Sequence, residues 1–186
     1  MAVVDKHIID AASKGNRIAC QRIFDVFKDK VYNTSYYMTG NREDALDVSQ
    51  QIFIKIFSSL STYKFKSDLG TWIYRIAMNT CYDYLRINKR KQSVFTDVAD
   101  SDGLIEPLDC TTESNIENQL VSELIDDAIQ KLSPKLRSVV ILKYKGELSY
   151  AEIAEVLNCS IGTVSSRLFE AHKKLTLLLD TYNINK

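Results

Sequence analysis

Apolar residues recur every three or four positions along almost the whole chain, and no strict apolar–polar alternation runs for a useful length. That period belongs to amphipathic helices rather than half-buried strands. It predicts helices near 5–14, 17–38, 42–60, 71–88, 116–131, 134–145, 149–157 and 161–180. Gly15, Gly40 and Gly70 punctuate the first half, and Gly146 and Gly162 the second. Ser133-Pro134 reads as a helix start, with Ser as N-cap and Pro in the first turn, where its missing N–H costs nothing. The fold class is therefore all-α. Residues 92–115 break the pattern: they are acidic, interrupted by Gly103 and Pro107, and poor in periodic apolar positions. They read as a flexible linker.

The sharpest local pattern runs from Leu148 to Leu168. Ser149 starts a short helix, and Glu152 follows at the capping-box spacing. Ile153, Ala154 and Leu157 give that helix an apolar face, Asn158-Cys159 breaks it, and Ser160 can cap a second. The second helix is expected to bury Ile161, Val164, Leu168, Ala171 and Leu175. Two short capped helices around a tight turn make a helix-turn-helix, whose second helix enters a DNA groove. Thr163, Ser165, Ser166, Arg167, Phe169 and Lys174 are the residues offered there to bases and phosphates. A plain helical hairpin is the other reading of the pattern.

A second signal lies in Thr71–Lys91. Ile73, Ile76, Ala77, Thr80, Tyr84 and Ile87 make a core stripe, whereas Trp72, Arg75, Asn79, Tyr82 and Arg86 make another. Aromatics stack on unpaired bases, an amide reads a base edge and guanidinium groups hold phosphate, so this stripe suits single-stranded nucleic acid. Lys89, Arg90 and Lys91 extend it with cations for a duplex backbone. A half-buried Trp beside a solvated basic end fits the same residues, and the two readings stay open on chemistry alone. The preceding loop, Ser61–Gly70, adds Lys64 and Lys66, placed to flank a strand, with Tyr63 and Phe65 placed to cover the core. Earlier still, Asn41 caps a helix that turns Ala45, Val48, Ile52 and Ile56 inward. Asp47, Gln50, Gln51 and Ile54 lie on its other side, as on a plain surface or a transient protein interface.

Charge sharpens this division. The 186 residues carry no net charge, yet residues 1–91 hold 15 basic and 9 acidic side chains, net +6. Residues 92–127 hold 10 acids and no Lys or Arg, and residues 128–186 hold 9 basic against 5 acidic, net +4. Two basic modules flanking an acidic segment suit two nucleic-acid-contacting domains. The four cysteines are scattered and the two histidines, His7 and His172, stand far apart, so no metal set is expected and the thiols read as reduced and mostly buried. No apolar run approaches the ~18 residues of a membrane span, and the N-terminus lacks a signal peptide, so a cytoplasmic chain without membrane insertion is expected. No phosphate loop or nucleophile–base pair stands at motif spacing, which argues against an enzyme. No cofactor is expected.

Three stretches together resemble the extracytoplasmic-function (ECF) sigma factors of the bacterial sigma-70 family. They are G-N-x-E-D-A-x-D-x-x-Q-x-x-F at Gly40–Phe53, T-W-I-Y-R-I-A-x-N at Thr71–Asn79, and L-S-x-x-x-R followed by L-S-Y-x-E-I-A…C-x-x-G-T-V-x-S-R at Leu132–Arg137 and Leu148–Arg167. The resemblance implies two helical domains: region 2 over 1–91, and region 4 over 119–186, joined by the acidic linker 92–118. It implies docking of the helix around Asp47, Gln50, Gln51 and Phe53 on the β′ coiled coil of RNA polymerase core. It further implies capture of an unstacked −10 base by Asn79 near Trp72, and −35 reading by the helix-turn-helix while bound to the β flap. An anti-sigma factor is a further implied partner. The chain departs from the pattern where Ser165, Glu170 and His172 replace common arginines, and where Leu46 and Gln51 replace common acids. These changes lower the charge of the reading helix, so more of the base contact falls on Arg167, and backbone or DNA-shape contacts gain weight. The remaining alternative is a helix-turn-helix regulator that binds DNA without polymerase.

Overall fold

Local capping fixes several of the helix boundaries, at Asn16, Gly40, Asn41, Ser149 and Ser160, whereas Ser133 makes no side-chain cap bond. The computed structural model describes the backbone of residues 4–95 and 116–180, and side chains within 4–90 and 122–180. The first module contains α1 (Lys6–Ser13), α2 (Arg17–Thr39), α3 (Arg42–Ser59), a 3-10 turn over Leu60–Thr62, and α4 (Leu69–Phe95). Gly40 takes the left-handed conformation that ends α2 (φ 88°), and its N–H donates to the Tyr36 carbonyl at 2.8 Å. One residue later the Asn41 side chain accepts the Asp44 N–H at 2.8 Å and opens α3. Two helices joined this tightly form a hairpin.

The core of this module is built from Ile23, Val31 and Met38 on α2, Val48, Ile52 and Ile56 on α3, and Ile73, Ala77, Met78 and Cys81 on α4, all essentially fully buried. Burying each large aliphatic among them contributes roughly 1.5–3 kcal/mol. The periodic reading of α3 holds at all four inward positions, each at 0% exposure. Ile87 does not follow its stripe and is 50% exposed. Tyr84 already lies beside Asp44, in the first turn of α3, so Ile87 extends past the helix meant to cover it. Burial pushes the Cys81 thiol up to about 12, which leaves it protonated and unreactive at neutral pH. Cys20, Cys81 and Cys159 are free thiols, and Cys110 lies outside the described residues, as does most of the segment read as a linker.

The second module contains α5 (Ile116–Gln130), α6 (Pro134–Val140), a π-helical turn over Ile141–Lys145, α7 (Tyr150–Val156) and α8 (Ile161–Asp180). The helix expected over 134–145 is thus present, with its last turn widened. Gly146 closes that turn with its N–H on the Ile141 carbonyl at 2.9 Å. A Cβ on Gly146 would stand 2.7 Å from the Leu142 carbonyl oxygen, so no other residue fits without movement. Leu136, Val139, Ile141, Leu142, Ile153, Val156, Val164, Leu168 and Ala171 make the core here. Ile161, expected inside, is 54% exposed because it is the first residue of α8 and projects beyond its packed face. No helix among the described residues is long and apolar enough to cross a membrane.

The modules touch. Arg137 on α6 donates from its guanidinium to the Tyr37 carbonyl at 3.3 Å and the Met38 carbonyl at 3.1 Å, at the C-terminal end of α2. The Tyr37 hydroxyl donates to Asp126 on α5 at 2.9 Å. Helix α7 packs against α4.

Candidate nucleic-acid interface

The helix-turn-helix is assembled as its sequence dictates. The Ser149 hydroxyl accepts the Glu152 N–H at 3.3 Å, and the Glu152 carboxylate accepts the Ser149 N–H at 2.8 Å, so the capping box is complete. The Ser149 hydroxyl also donates to the Glu152 carboxylate at 2.6 Å, and this bond, with that from the Ser149 N–H, holds the Glu152 carboxyl below its ordinary pKa. Asn158 takes the left-handed turn position (φ 48°), a conformation Asn tolerates better than most residues. The Ser160 hydroxyl accepts the Thr163 N–H at 3.1 Å and starts α8. Along α8, Ser165, Ser166, Phe169 and Lys174 are exposed and Thr163 and Arg167 are half-buried. Phe169 is 74% exposed, far more than an aromatic ring with only a packing role. Lys174 pairs with Glu170 on its own helix at 2.9 Å, and the Tyr144 hydroxyl shares a 2.7 Å hydrogen bond with His172.

On the first module the aromatic residues gather at the start of α4. The Tyr63 ring stands 4.7 Å from Phe65 and 5.3 Å from Trp72, and its hydroxyl donates to the Ser67 carbonyl at 2.6 Å. Trp72 is half-buried in this ladder, where it anchors the start of α4. Lys64 and Lys66 are exposed on the loop, with Phe65 between them held at φ 54°. Asn79 lies two turns beyond Trp72 on α4 and is exposed. Arg86, also exposed, pairs with Asp83 at 3.0 Å. The other two members of the stripe, both half-buried, bond to the second module. Arg75 forms an ion pair with Glu155 of α7, and the Tyr82 hydroxyl donates to Ser138 of α6 at 2.7 Å. The basic end beyond them reaches Lys89 and Arg90, both exposed, while the Lys91 side chain lies outside the described residues.

On α3, Asp47, Gln50 and Gln51 are exposed and share a surface with Leu46 (52% exposed) and Ile54 (68% exposed). Phe53 is different. Its exposure is 8%, and its ring packs 4.7 Å from Phe24 and 6.0 Å from Phe57. It belongs to the core beneath that surface and supports it from inside, so the most exposed large apolar side chain on this helix is Ile54. The other residue whose work periodicity did not reveal is Arg137. It was visible only as the last letter of L-S-x-x-x-R, yet it gathers carbonyls from both modules.

An all-α arrangement with a helix-turn-helix in one module, and exposed lysines beside an aromatic cluster and an exposed amide in the other, has the features of a nucleic-acid-binding protein. Residues 23–91 match Sigma-70 region 2, and residues 122–175 match Sigma-70, region 4. The chain is 35% identical over 182 residues to the ECF RNA polymerase sigma factor SigW of Bacillus subtilis (strain 168), covering 94% of this chain and 96% of that protein. It is 31% identical over 184 residues to the ECF RNA polymerase sigma-E factor of Escherichia coli (strain K12), covering 93% of each. The chain belongs to the sigma-70 family, in its ECF branch, and is a transcription initiation factor rather than an enzyme.

Two solved structures share the fold. The sigma factor RpoE from Bartonella quintana, solved with the anti-sigma factor NepR, superposes with a TM-score of 0.73 at 21% identity, over 89% of this chain and 98% of that one. CnrH, solved with the cytosolic domain of CnrY, gives 0.70 at 21% identity, over 96% and 98%.

Proposed function

We propose that this chain lends RNA polymerase core two separate DNA readers. Residues 1–91 bind core and the −10 element, residues 119–186 bind the −35 element, and 92–118 connect them. In this reading α8 lies in the major groove at −35. Thr163, Ser165, Ser166, Arg167 and Phe169 face base edges there, and Lys174 holds phosphate. The −10 strand runs over the loop carrying Lys64 and Lys66, past the Trp72 platform, to Asn79. Arg75, Tyr82 and Arg86 continue that track. Asp47, Gln50, Gln51 and Ile54, backed by Phe53, face the β′ coiled coil, and the second module meets the β flap. An anti-sigma factor is a regulator of the same surfaces, and the site of action is the cytoplasm.

The observation that carries this reading is the exposed Asn79, two turns along α4 from an aromatic ladder whose loop carries the exposed Lys64 and Lys66. A base leaving the duplex needs a stacking partner and a hydrogen-bonding edge, and each stack contributes roughly 1–3 kcal/mol. DNA stacking costs about 1.4 kcal/mol for every base-pair step opened. A few contacts on one small domain cannot offset the opening of a whole −10 segment, so melting needs the channel of the polymerase to hold the separated strand. The test is promoter selectivity. Holoenzyme made with this chain should lose transcription when either the −10 or the −35 segment of its promoter is scrambled, and the free chain should bind the same duplex weakly. Tight, specific duplex binding by the free chain would overturn the reading in favour of an independent DNA-binding regulator.

A further inference from the structure

We infer that Tyr144 and His172 form a phosphate clamp at the trailing edge of the reading helix, one that takes up a proton as it closes on the DNA backbone. The inference rests on the reading of α8 as the −35 helix. Ser165, Phe169 and His172 follow one another at i, i+4 and i+7 along one side of α8, and all three are exposed. His172 is thus the next side chain beyond the residues offered to base edges. A helix leaving the major groove passes the sugar–phosphate backbone there.

Core packing does not account for the position of Tyr144. Ile141 and Leu142 of the same π-helical turn are buried, whereas Tyr144 is 56% exposed. Such turns are rare and recur at functional sites. This one is fixed by Gly146, whose N–H closes it on the Ile141 carbonyl and which has no room for a Cβ. The turn holds the Tyr144 ring 5.8 Å from the His172 ring, tilted by 53°, with the hydroxyl 2.7 Å from the imidazole Nε2. Tyr144 is the group that faces the imidazole from this turn. The two lysines beside it point elsewhere: Lys143 donates to the Leu148 carbonyl at 3.4 Å, and Lys145 lies over the Tyr37 ring. On α8 itself, Lys174 pairs with Glu170, and Lys173 is exposed next to His172.

The hydroxyl bond orients the imidazole and leaves Nδ1 as its second polar atom. With both ring nitrogens protonated, Nε2–H donates to the Tyr144 oxygen and Nδ1–H donates to a phosphate oxygen. The tyrosine proton is then released to a second phosphate oxygen. An anion against the ring favours its charged form. The clamp therefore takes one proton from solvent, and no covalent bond to a heavy atom changes. Histidine changes its charge between about pH 8 and pH 5, so the grip on DNA should strengthen as pH falls.

The test uses holoenzyme assembled from core polymerase and the full chain. It is titrated against a labelled duplex carrying the −35 segment upstream of the chain's own gene, at about pH 6 and about pH 8, over a salt series. Comparing each variant with wild type cancels titration elsewhere in the polymerase, and thermal melting checks that the second module stays folded. Lowering the pH should tighten wild-type binding about three-fold more than it tightens binding by the His172→Gln chain. At the lower pH, His172→Gln should also make the salt slope shallower by about one ion. His172→Arg, a fixed cation, should keep the tight binding and lose the extra pH response. Tyr144→Phe retains the ring without the hydroxyl and should weaken binding about two-fold at the lower pH. A wild-type pH response and salt slope in His172→Gln would overturn the proposal, and so would wild-type affinity in Tyr144→Phe. Scrambling the −35 segment separates the clamp from the reading beneath it. If scrambling leaves wild-type binding unchanged, the −35 reading fails; if scrambling abolishes binding while the His172 and Tyr144 variants match wild type, the clamp alone fails.

Discussion

Asn79→Ala isolates the −10 contact from the fold. The side chain is exposed on α4 and takes no part in the core, so its truncation should leave stability within about 0.5 kcal/mol of wild type. Its neighbours are unaffected: Ala77 and Met78 carry the packing of that turn, and Thr80 on the next residue is buried with its hydroxyl on the Ile76 carbonyl at 2.9 Å. What the substitution removes is one amide able to donate to and accept from a base edge, worth about 1–3 kcal/mol. At 1.4 kcal/mol for each tenfold, that is roughly 5- to 150-fold in the equilibrium between closed and open promoter complexes. The α3 surface lies on a different helix, so core affinity should not move. The assay pairs permanganate reactivity of −10 thymines in holoenzyme with a separate titration of core by labelled chain. Equal loss in both measurements, or a marked fall in melting temperature, would make Asn79 a structural residue and refute the reasoning.

Three further outcomes test other parts of the account. Arg167→Ala should lower discrimination among −35 variants by about 1–3 kcal/mol in competition binding with holoenzyme; unchanged discrimination would remove it from the reading set. Ile54→Asp, at a position 68% exposed, should weaken core binding at least ten-fold in a pull-down titration while leaving the melting curve in place, and unaltered core affinity would shift the interface elsewhere. Ser149→Ala removes the hydroxyl half of the capping box, together with the hydroxyl's bond to the Glu152 carboxylate, and should destabilise the second module by about 1 kcal/mol in urea unfolding. Glu152 adds a pH dependence: its lowered folded pKa gives stability present above its unfolded pKa and lost as pH falls through the folded one, and Ser149→Ala should flatten that acid limb.

Where structure depends on neighbours in sequence, the chain is largely legible. The caps at Asn41, Ser149 and Ser160, the left-handed break at Asn158, and the inward stripe Ala45, Val48, Ile52 and Ile56 all stand where spacing puts them. Periodicity fails where a stripe outruns its partner, as at Ile87 and Ile161, because it reports which side of a helix is apolar and not how far the covering element extends. It also misplaced the weight on α3. Phe53 and Ile54 are adjacent and both apolar, and only packing against Phe24 and Phe57 decides that the first is core and the second is surface. The contacts between modules were beyond its reach. Arg75 and Glu155 are 80 residues apart, and Tyr37 and Asp126 are 89 apart, so no local pattern joins them. For the same reason the stripe of Trp72, Arg75, Asn79, Tyr82 and Arg86 is a single surface in the sequence, yet has half-buried and exposed members in the folded chain.

Run-off transcription tests the central claim most directly. Core RNA polymerase is combined with this chain on a linear template carrying the region upstream of the chain's own gene. The account predicts a transcript of one discrete length that requires the chain and disappears when the −10 segment is scrambled. A transcript of equal yield without the chain, or the absence of any discrete transcript from templates to which the holoenzyme has bound, would contradict it.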